Sequence, residues 1–162
     1  MMINLLSYMN LAFYKPNSKN TGCAFSFQLS TKSTPTLYIN GIQQFSWNEQ
    51  TKNGSFSGNR ENPEKTIAVK LNEIEIGGLI HAIRTYGEWK AFHSFEENKT
   101  QISWTRYKKK DGSDAFSFSI SRNGNQKFGM GVELAEAETV RVFLENCLNK
   151  MFEANSTKEN SN

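Results

Sequence analysis

"KTIAVKLNEIEIGGLIHAIRTYGEWKAFHS", Lys65–Ser94, changes its hydrophobic period twice. From Lys65 to Leu71 the apolar residues alternate, with Ile67, Val69 and Leu71 on one face, as in a half-buried strand. From Ile74 the spacing lengthens. Ile76, Leu79, Ile80, Ile83 and Tyr86 then fall on one face of a helix ending near Tyr86. Asn72 is placed to cap that helix, and Glu73 and Glu75 suit the positive end of its dipole. Gly87 is placed to stop it. Gly77 and Gly78 each cost about 1 kcal/mol in a helix and imply close packing on a sheet. "WKAFHSF" (Trp89–Phe95) then returns to alternation.

The same change of period closes the chain. "VELAEAE" (Val132–Glu138) repeats the character of "VKLNEIE" (Val69–Glu75). A second helix is predicted over Ala137–Phe152, with Val140, Phe143, Leu144, Cys147, Leu148 and Met151 on one face. Before the first helix lie three alternating segments: "NLAFYK" (Asn10–Lys15), "CAFSFQLS" (Cys23–Ser30) and "TLYINGIQQFSW" (Thr36–Trp47), where Gly41 suggests a bulge or turn. After it come Trp89–Phe95, "TQISWTRY" (Thr100–Tyr107), "AFSFSISR" (Ala115–Arg122) and "KFGMGVEL" (Lys127–Leu134). "KDGS" (Lys110–Ser113) and "NGN" (Asn123–Asn125) are hairpin signals, and "ENK" (Glu97–Lys99) is a further turn. The polar stretch 48–64 is predicted to be a long mobile loop. Four strands and a helix, twice over, with hairpins in place of parallel crossovers, give an α+β fold. It is read as a duplicated ββββα unit with two antiparallel four-stranded sheets and two helices. Phe25, Phe27, Ile67, Val69, Phe116, Phe118 and the two helix faces form the expected core.

The chain of 162 residues suits one domain, read as 1–152 with a disordered polar tail over 153–162. Aromatic residues make up 12%, with twelve Phe against three Pro, which favours pleated surfaces. A net charge of +3 is too small to announce nucleic acid by itself, so only clustering of the cations can make that case. Cys23 and Cys147 lack any CxxC spacing and are expected to be reduced and buried. "MMINLLSYMN" lacks a basic n-region and a full h-region, and no apolar run is long enough to span a bilayer. The expected location is therefore the cytoplasm of a bacterium or of a phage-infected host cell.

A single-strand binder needs cations for phosphates and flat apolar rings for unpaired bases. "QISWTRYKKKDG" (Gln101–Gly112) offers both: Trp104, Arg106, Tyr107 and the run Lys108, Lys109, Lys110, with Arg122 and Lys127 on the following hairpin. A second candidate set surrounds "YINGIQQFSW": Tyr38, Phe45 and Trp47, with Lys15, Lys32 and Arg60 along the rim. Enzyme readings find little support. His81 and His93 have no ligand partners at metal spacing, and there is no phosphate-binding glycine loop and no nucleophile elbow. No catalytic residue, metal or cofactor is expected.

The order of elements, and Lys65–Ser94 in particular, resembles the Whirly family of single-stranded-DNA-binding proteins. There, an alternating strand runs into a Thr-Glu-Ile-Gly-type helix start, and a short strand ends in Phe-His. Glu75-Ile76-Gly77 and Phe92-His93 occupy those places here. "FQLSTKSTPTLYI" (Phe27–Ile39) is similar to the family's second hairpin, and the likeness extends over Asn10–Phe152. The family's Lys-Gly-Lys-Ala-Ala-Leu strand motif is only faintly present, as "NLAFYK". The transcriptional-coactivator and Pur-alpha families share related units. The resemblance implies single-stranded-DNA binding in replication, recombination or repair, with RNA binding or annealing, transcription regulation, or a non-catalytic oligomeric interaction role as alternatives. It also implies a homo-oligomer, a tetramer rather than a dimer, with helices inside. Strands would then run between neighbouring sheets, placing Trp47 and Trp104 at a subunit boundary.

Overall fold

The computed structural model describes residues 8–160, and side chains from 9 to 156. Strands β1 (Tyr8–Lys15), β2 (Cys23–Ser30), β3 (Thr36–Gln43) and β6 (Thr66–Leu71) form one antiparallel sheet in the order β1-β2-β3-β6. Strands β7 (Trp89–Phe95), β8 (Asn98–Lys108), β9 (Asp114–Arg122) and β10 (Gln126–Glu133) form the other, in the order β10-β9-β8-β7. β6 leads into α1 (Glu73–Arg84) and β10 into α2 (Leu134–Asn160). Between β3 and β6 a small ribbon, β4 (Ser46–Asn48) with β5 (Asn53–Ser55), stands apart from both sheets. The fold is α+β, with antiparallel sheets and two helices. Among the described residues, no helix is long and apolar enough to cross a membrane.

Alternation decides which side chains meet. Phe25, Phe27 and Leu29 of β2 and Leu37 and Ile39 of β3 face Phe116, Phe118 and Ile120 of β9, and all are buried. Phe118 lies at the seam, its ring centroid 5.0 Å from that of Phe25 and 5.8 Å from that of Phe27. Ile76, Leu79, Ile80 and Ile83 of α1 and Val140, Leu144, Cys147 and Met151 of α2 complete this core. All six strand residues expected in it are there. Cys23 and Cys147 are free and buried, and burial pushes the Cys147 thiol up to about 12.

The two strand-to-helix junctions use one device. Asn72 accepts from the Glu75 N–H, and the Asn72 N–H donates back to Glu75 Oε1, a capping box that satisfies two otherwise unpaired donors. At α2 the N–H of Glu133 donates to Glu136 Oε1 at 3.0 Å. Each of these glutamates also reaches across to the first strand of the other half. Glu75 Oε2 lies 2.7 Å from His93 Nε2 in β7, and Glu136 receives Lys15 Nζ of β1 at 2.6 and 2.7 Å. The halves are thereby tied reciprocally, helix start to opposite first strand.

Several expectations change. Gly41 forms no bulge, since pairing runs through it without interruption. It is glycine because a Cβ there would lie 3.1 Å from both Phe25 and Ile67. The strand proposed over Thr36–Trp47 breaks at Gln44 and Phe45, and the stretch 48–64 carries ordered structure: the β4–β5 ribbon and a 3-10 turn at Ser57–Asn59. Buried Gln44 organises that corner. It accepts from the N–H of Asn17 and of Gly22 and donates to the carbonyls of Asn17 and Ser46. Of the paired glycines in α1, Gly78 meets the expected close packing: a Cβ would lie 2.8 Å from the Trp89 indole of β7, while one at Gly77 would meet nothing within 4 Å. The left-handed residue ending α1 is Tyr86 (φ +50°), not Gly87. The Tyr86 hydroxyl donates to the Ala115 carbonyl at 3.2 Å and its ring packs on Phe116, contacts that offset the cost of that conformation. Helix α2 begins at Leu134, earlier than its apolar spacing indicates, and continues to Asn160 through most of the stretch read as a tail. Residues 161–162, and the N-terminal residues 1–7 read for a leader, lie outside the described residues.

Candidate nucleic-acid interface

The outer face of the first sheet is built in rows, because the register aligns one residue from each strand. Tyr14, Ala24, Ile42 and Thr66 form one row; Ala12, Ser26, Asn40 and Ala68 the next; Asn10, Gln28, Tyr38 and Lys70 the third. The alanines and Ser26 keep the floor low between taller neighbours. The segment after β5 folds over one end, bringing Phe56, Arg60 and Pro63 to the first row, and Arg122 closes the border with the second sheet. The result is an open cleft of about 540 Å³ lined by aromatic rings, small residues and two guanidinium groups. Tyr14 is 68% exposed, and its ring centroid lies 6.1 Å from that of Phe56. The Arg122 Nε donates to Thr100 Oγ1 and one of its terminal nitrogens to the Ala68 carbonyl, so this guanidinium is held in place at the rim. Arg60 is exposed beside it.

Of the side chains expected to contact nucleic acid, Arg60 and Arg122 share this cleft, and Tyr38 lies on the same sheet face with Lys70 Nζ 6.0 Å from its ring centroid. The rest are elsewhere. Trp104 is wholly buried, against Phe116 and Phe118, so it is core and offers no ring to a base. Alternation puts it on the side of Ile102, the inward side. Its indole N–H is buried without a partner among the described residues, at a cost of about 1–3 kcal/mol that the ring's burial outweighs. Buried within the protomer, Trp104 also cannot stand at a subunit boundary. Lys108 pairs with Asp114 at 2.8 Å and Lys109 with Glu133 at 2.9 Å, so two of the three consecutive lysines are already neutralised. Their side-chain hydrogen bonds hold the Asp114 and Glu133 carboxyls below the usual range. Lys15 is likewise spent on Glu136. Arg106, Tyr107 and Lys110 are exposed at the far end of the second sheet, and Lys32 in the β2–β3 turn. Lys127 is exposed on β10, its carbonyl accepting from Gln43 Nε2. Phe45 rests its ring on Gly58 beneath the small ribbon, and the Trp47 indole donates to Glu49 within it.

The cleft also contains residues that sequence reading passed over. Tyr14 was legible, since it shares the outward side of β1 with Asn10 and Ala12. Phe56 was not: it is a lone aromatic in a polar stretch, and only the fold of that stretch brings it to Tyr14.

No protein-family model matches the chain, and no curated protein does. Among solved structures it is similar to one described as the plant transcriptional regulator PBF-2, at 12% identity and a TM-score of 0.58, over 96% of this chain and 88% of that one. The likeness is one of fold, and that fold is Whirly-like.

Proposed function

We propose that this protein is a non-catalytic binder of single-stranded DNA, largely independent of sequence, that protects or presents unpaired strands in replication, recombination or repair. The observation that carries the reading is the cleft on the first sheet. Exposed Tyr14 and nearby Phe56 offer π-faces, and Arg60 and Arg122 flank them as phosphate partners. Base stacking is sequence-tolerant, and a low floor of Ala12, Ala24 and Ala68 leaves room for a planar ring beside Tyr14. Competition gel shifts with single-stranded DNA, RNA and duplex test this. Single strands should compete and duplex should not. A preference for RNA would support the annealing alternative, and the likeness to a transcriptional regulator supports a role at promoters as a second reading.

The protein also acts, on this reading, as a homo-oligomer, a tetramer in preference to a dimer, built from two copies of one ββββα unit per chain. Most of the α2 face is used inside the protomer, but Leu134, Val142 and Phe152 remain exposed on that helix. Val142→Glu should separate subunits in light scattering without unfolding the chain. A charge at buried Leu144 should unfold it.

A further inference from the structure

Asn40 and Ser26 stand opposite each other in β3 and β2, at the centre of the row Ala12–Ser26–Asn40–Ala68. Theirs are the polar side chains of that row, and both line the cleft floor. Asn40 Nδ2 lies 3.5 Å from Ser26 Oγ, the outer limit of a hydrogen bond and the one side-chain contact of this amide among the described residues. Nδ2 points towards β2 and Oδ1 away from it. One Nδ2 proton remains uncommitted, Oδ1 has no protein partner among the described residues, and the Ser26 hydroxyl, having accepted, keeps its own proton. From β2 to β3 the floor therefore offers donor, donor, acceptor: Ser26 O–H, Asn40 N–H, Asn40 C=O.

That order is the one on the pairing edge of guanine. Its complement is acceptor, acceptor, donor, which cytosine presents as O2, N3 and N4–H. We propose that the cleft is a cytosine-selective subsite, with Asn40 and Ser26 reading the base edge while Tyr14 flanks the ring and Arg60 and Arg122 take the adjoining phosphates. The inference rests on the single-strand reading above and adds one position of base preference to otherwise tolerant binding. Uracil sets N3–H against the Asn40 donor and O4 against its acceptor. Adenine satisfies the two Asn40 groups through N1 and N6 and leaves Ser26 facing C2–H. Paired cytosine has this edge occupied, so the subsite reads unpaired strands.

The test compares oligo(dC) with oligo(dU) of equal length by fluorescence anisotropy, at fixed salt and mildly alkaline pH. The two share ring size and phosphates, so stacking and charge are matched and only the edge differs. The native protein should bind oligo(dC) about tenfold more tightly. Asn40→Ala should abolish the difference between oligo(dC) and oligo(dU) and leave the salt slope unchanged. Ser26→Ala should leave an intermediate preference, because the amide loses the partner that turns Nδ2 towards β2 while O2 loses its donor in both bases alike, and it carries the test if circular dichroism shows Asn40→Ala unfolded. Equal, measurable binding of both strands by the native protein, or a preference that survives Asn40→Ala, overturns the cytosine subsite while the single-strand reading stands. Binding of neither strand overturns both.

Discussion

The two sheets share a plan and differ on their outward faces. Inside, each presents the same kind of alternating aromatic and aliphatic rows to one core. Outside, the first sheet carries Tyr14, Ile42 and Asn40 around a cleft, with Tyr38 in the next row. The second carries Gln101, Ser103 and Thr105 on β8 opposite Ser121, Ser119 and Ser117 on β9, with Gly129 and Gly131 on β10. A Cβ at Gly131 would meet nothing within 4 Å, so packing does not require glycine there. This face has an open cleft of its own, about 770 Å³, lined by Phe92, Gln101, Ser121, Lys99 and Asn123 without a guanidinium, and its exposed rings, Phe92 on the edge strand and Tyr107, are not paired with one another as Tyr14 and Phe56 are. The inner faces specify the fold and must be alike. The outer faces are free to diverge, and the first, through its insertion between β3 and β6, has gained Phe56 and Arg60 beside Tyr14.

The largest expected effect lies on the shared inner side. Trp104→Ala should cost about 3–5 kcal/mol in denaturant unfolding, because a fully buried ring leaves a cavity. A well-folded Trp104→Ala protein that simply lost DNA affinity would reverse the assignment of that residue to the core. On the outer face, Tyr14→Ala should weaken single-strand binding by about 1–3 kcal/mol with no change in salt slope, whereas Phe92→Ala should change neither. Equal losses from the two would erase the distinction between the sheets. Arg60→Ala should flatten the slope of log K against log salt by about 0.7, one phosphate contact on a single strand. Replacing Lys108, Lys109 and Lys110 together should flatten it by no more than about 0.7, since two of the three are paired within the protein. A loss near three times that would restore the hairpin tip as a binding site.

The smallest effect concerns those two pairs. The Asp114 and Glu133 carboxyls are held below the usual range by Lys108 and Lys109, so the native state binds fewer protons there than the unfolded chain. Their stabilisation is present above the ordinary carboxylate range and is lost as pH falls through the depressed values. Both pairs are exposed, so the contribution is small. A double Asp114→Asn, Glu133→Gln variant should melt slightly below the native protein at neutral pH and together with it once the pH has fallen below the depressed carboxyl range. A gap that persists in acid would mean that the two side chains matter for some reason other than charge.

The fold was legible because its signals are periodic. Val69 and Leu71 against Ile76, Leu79 and Ile80 mark the change from strand to helix without reference to any partner, and Asn72 marks where it happens. The site was legible only in part. Strand alternation already placed Trp104 beside Ile102, and the pull of a nearby lysine run obscured that. The neutralising partners of those lysines, Asp114 and Glu133, lie on other strands, and sequence does not announce cross-strand ion pairs. Arg60 and Arg122, 62 positions apart in number, line one cleft because the segment after β5 folds over the first sheet and the Arg122 side chain reaches the Ala68 carbonyl of β6 across the sheet border, facts of tertiary packing alone.

The most direct test of the account is photo-crosslinking of a single strand carrying halogenated cytosine, followed by mass spectrometry of the attached peptides. The account predicts attachment at Tyr14 and Phe56, in the peptides that contain β1 and the segment after β5. Attachment confined to Phe92, Tyr107 or the Lys108–Lys110 tip, with the first sheet unlabelled, would contradict it.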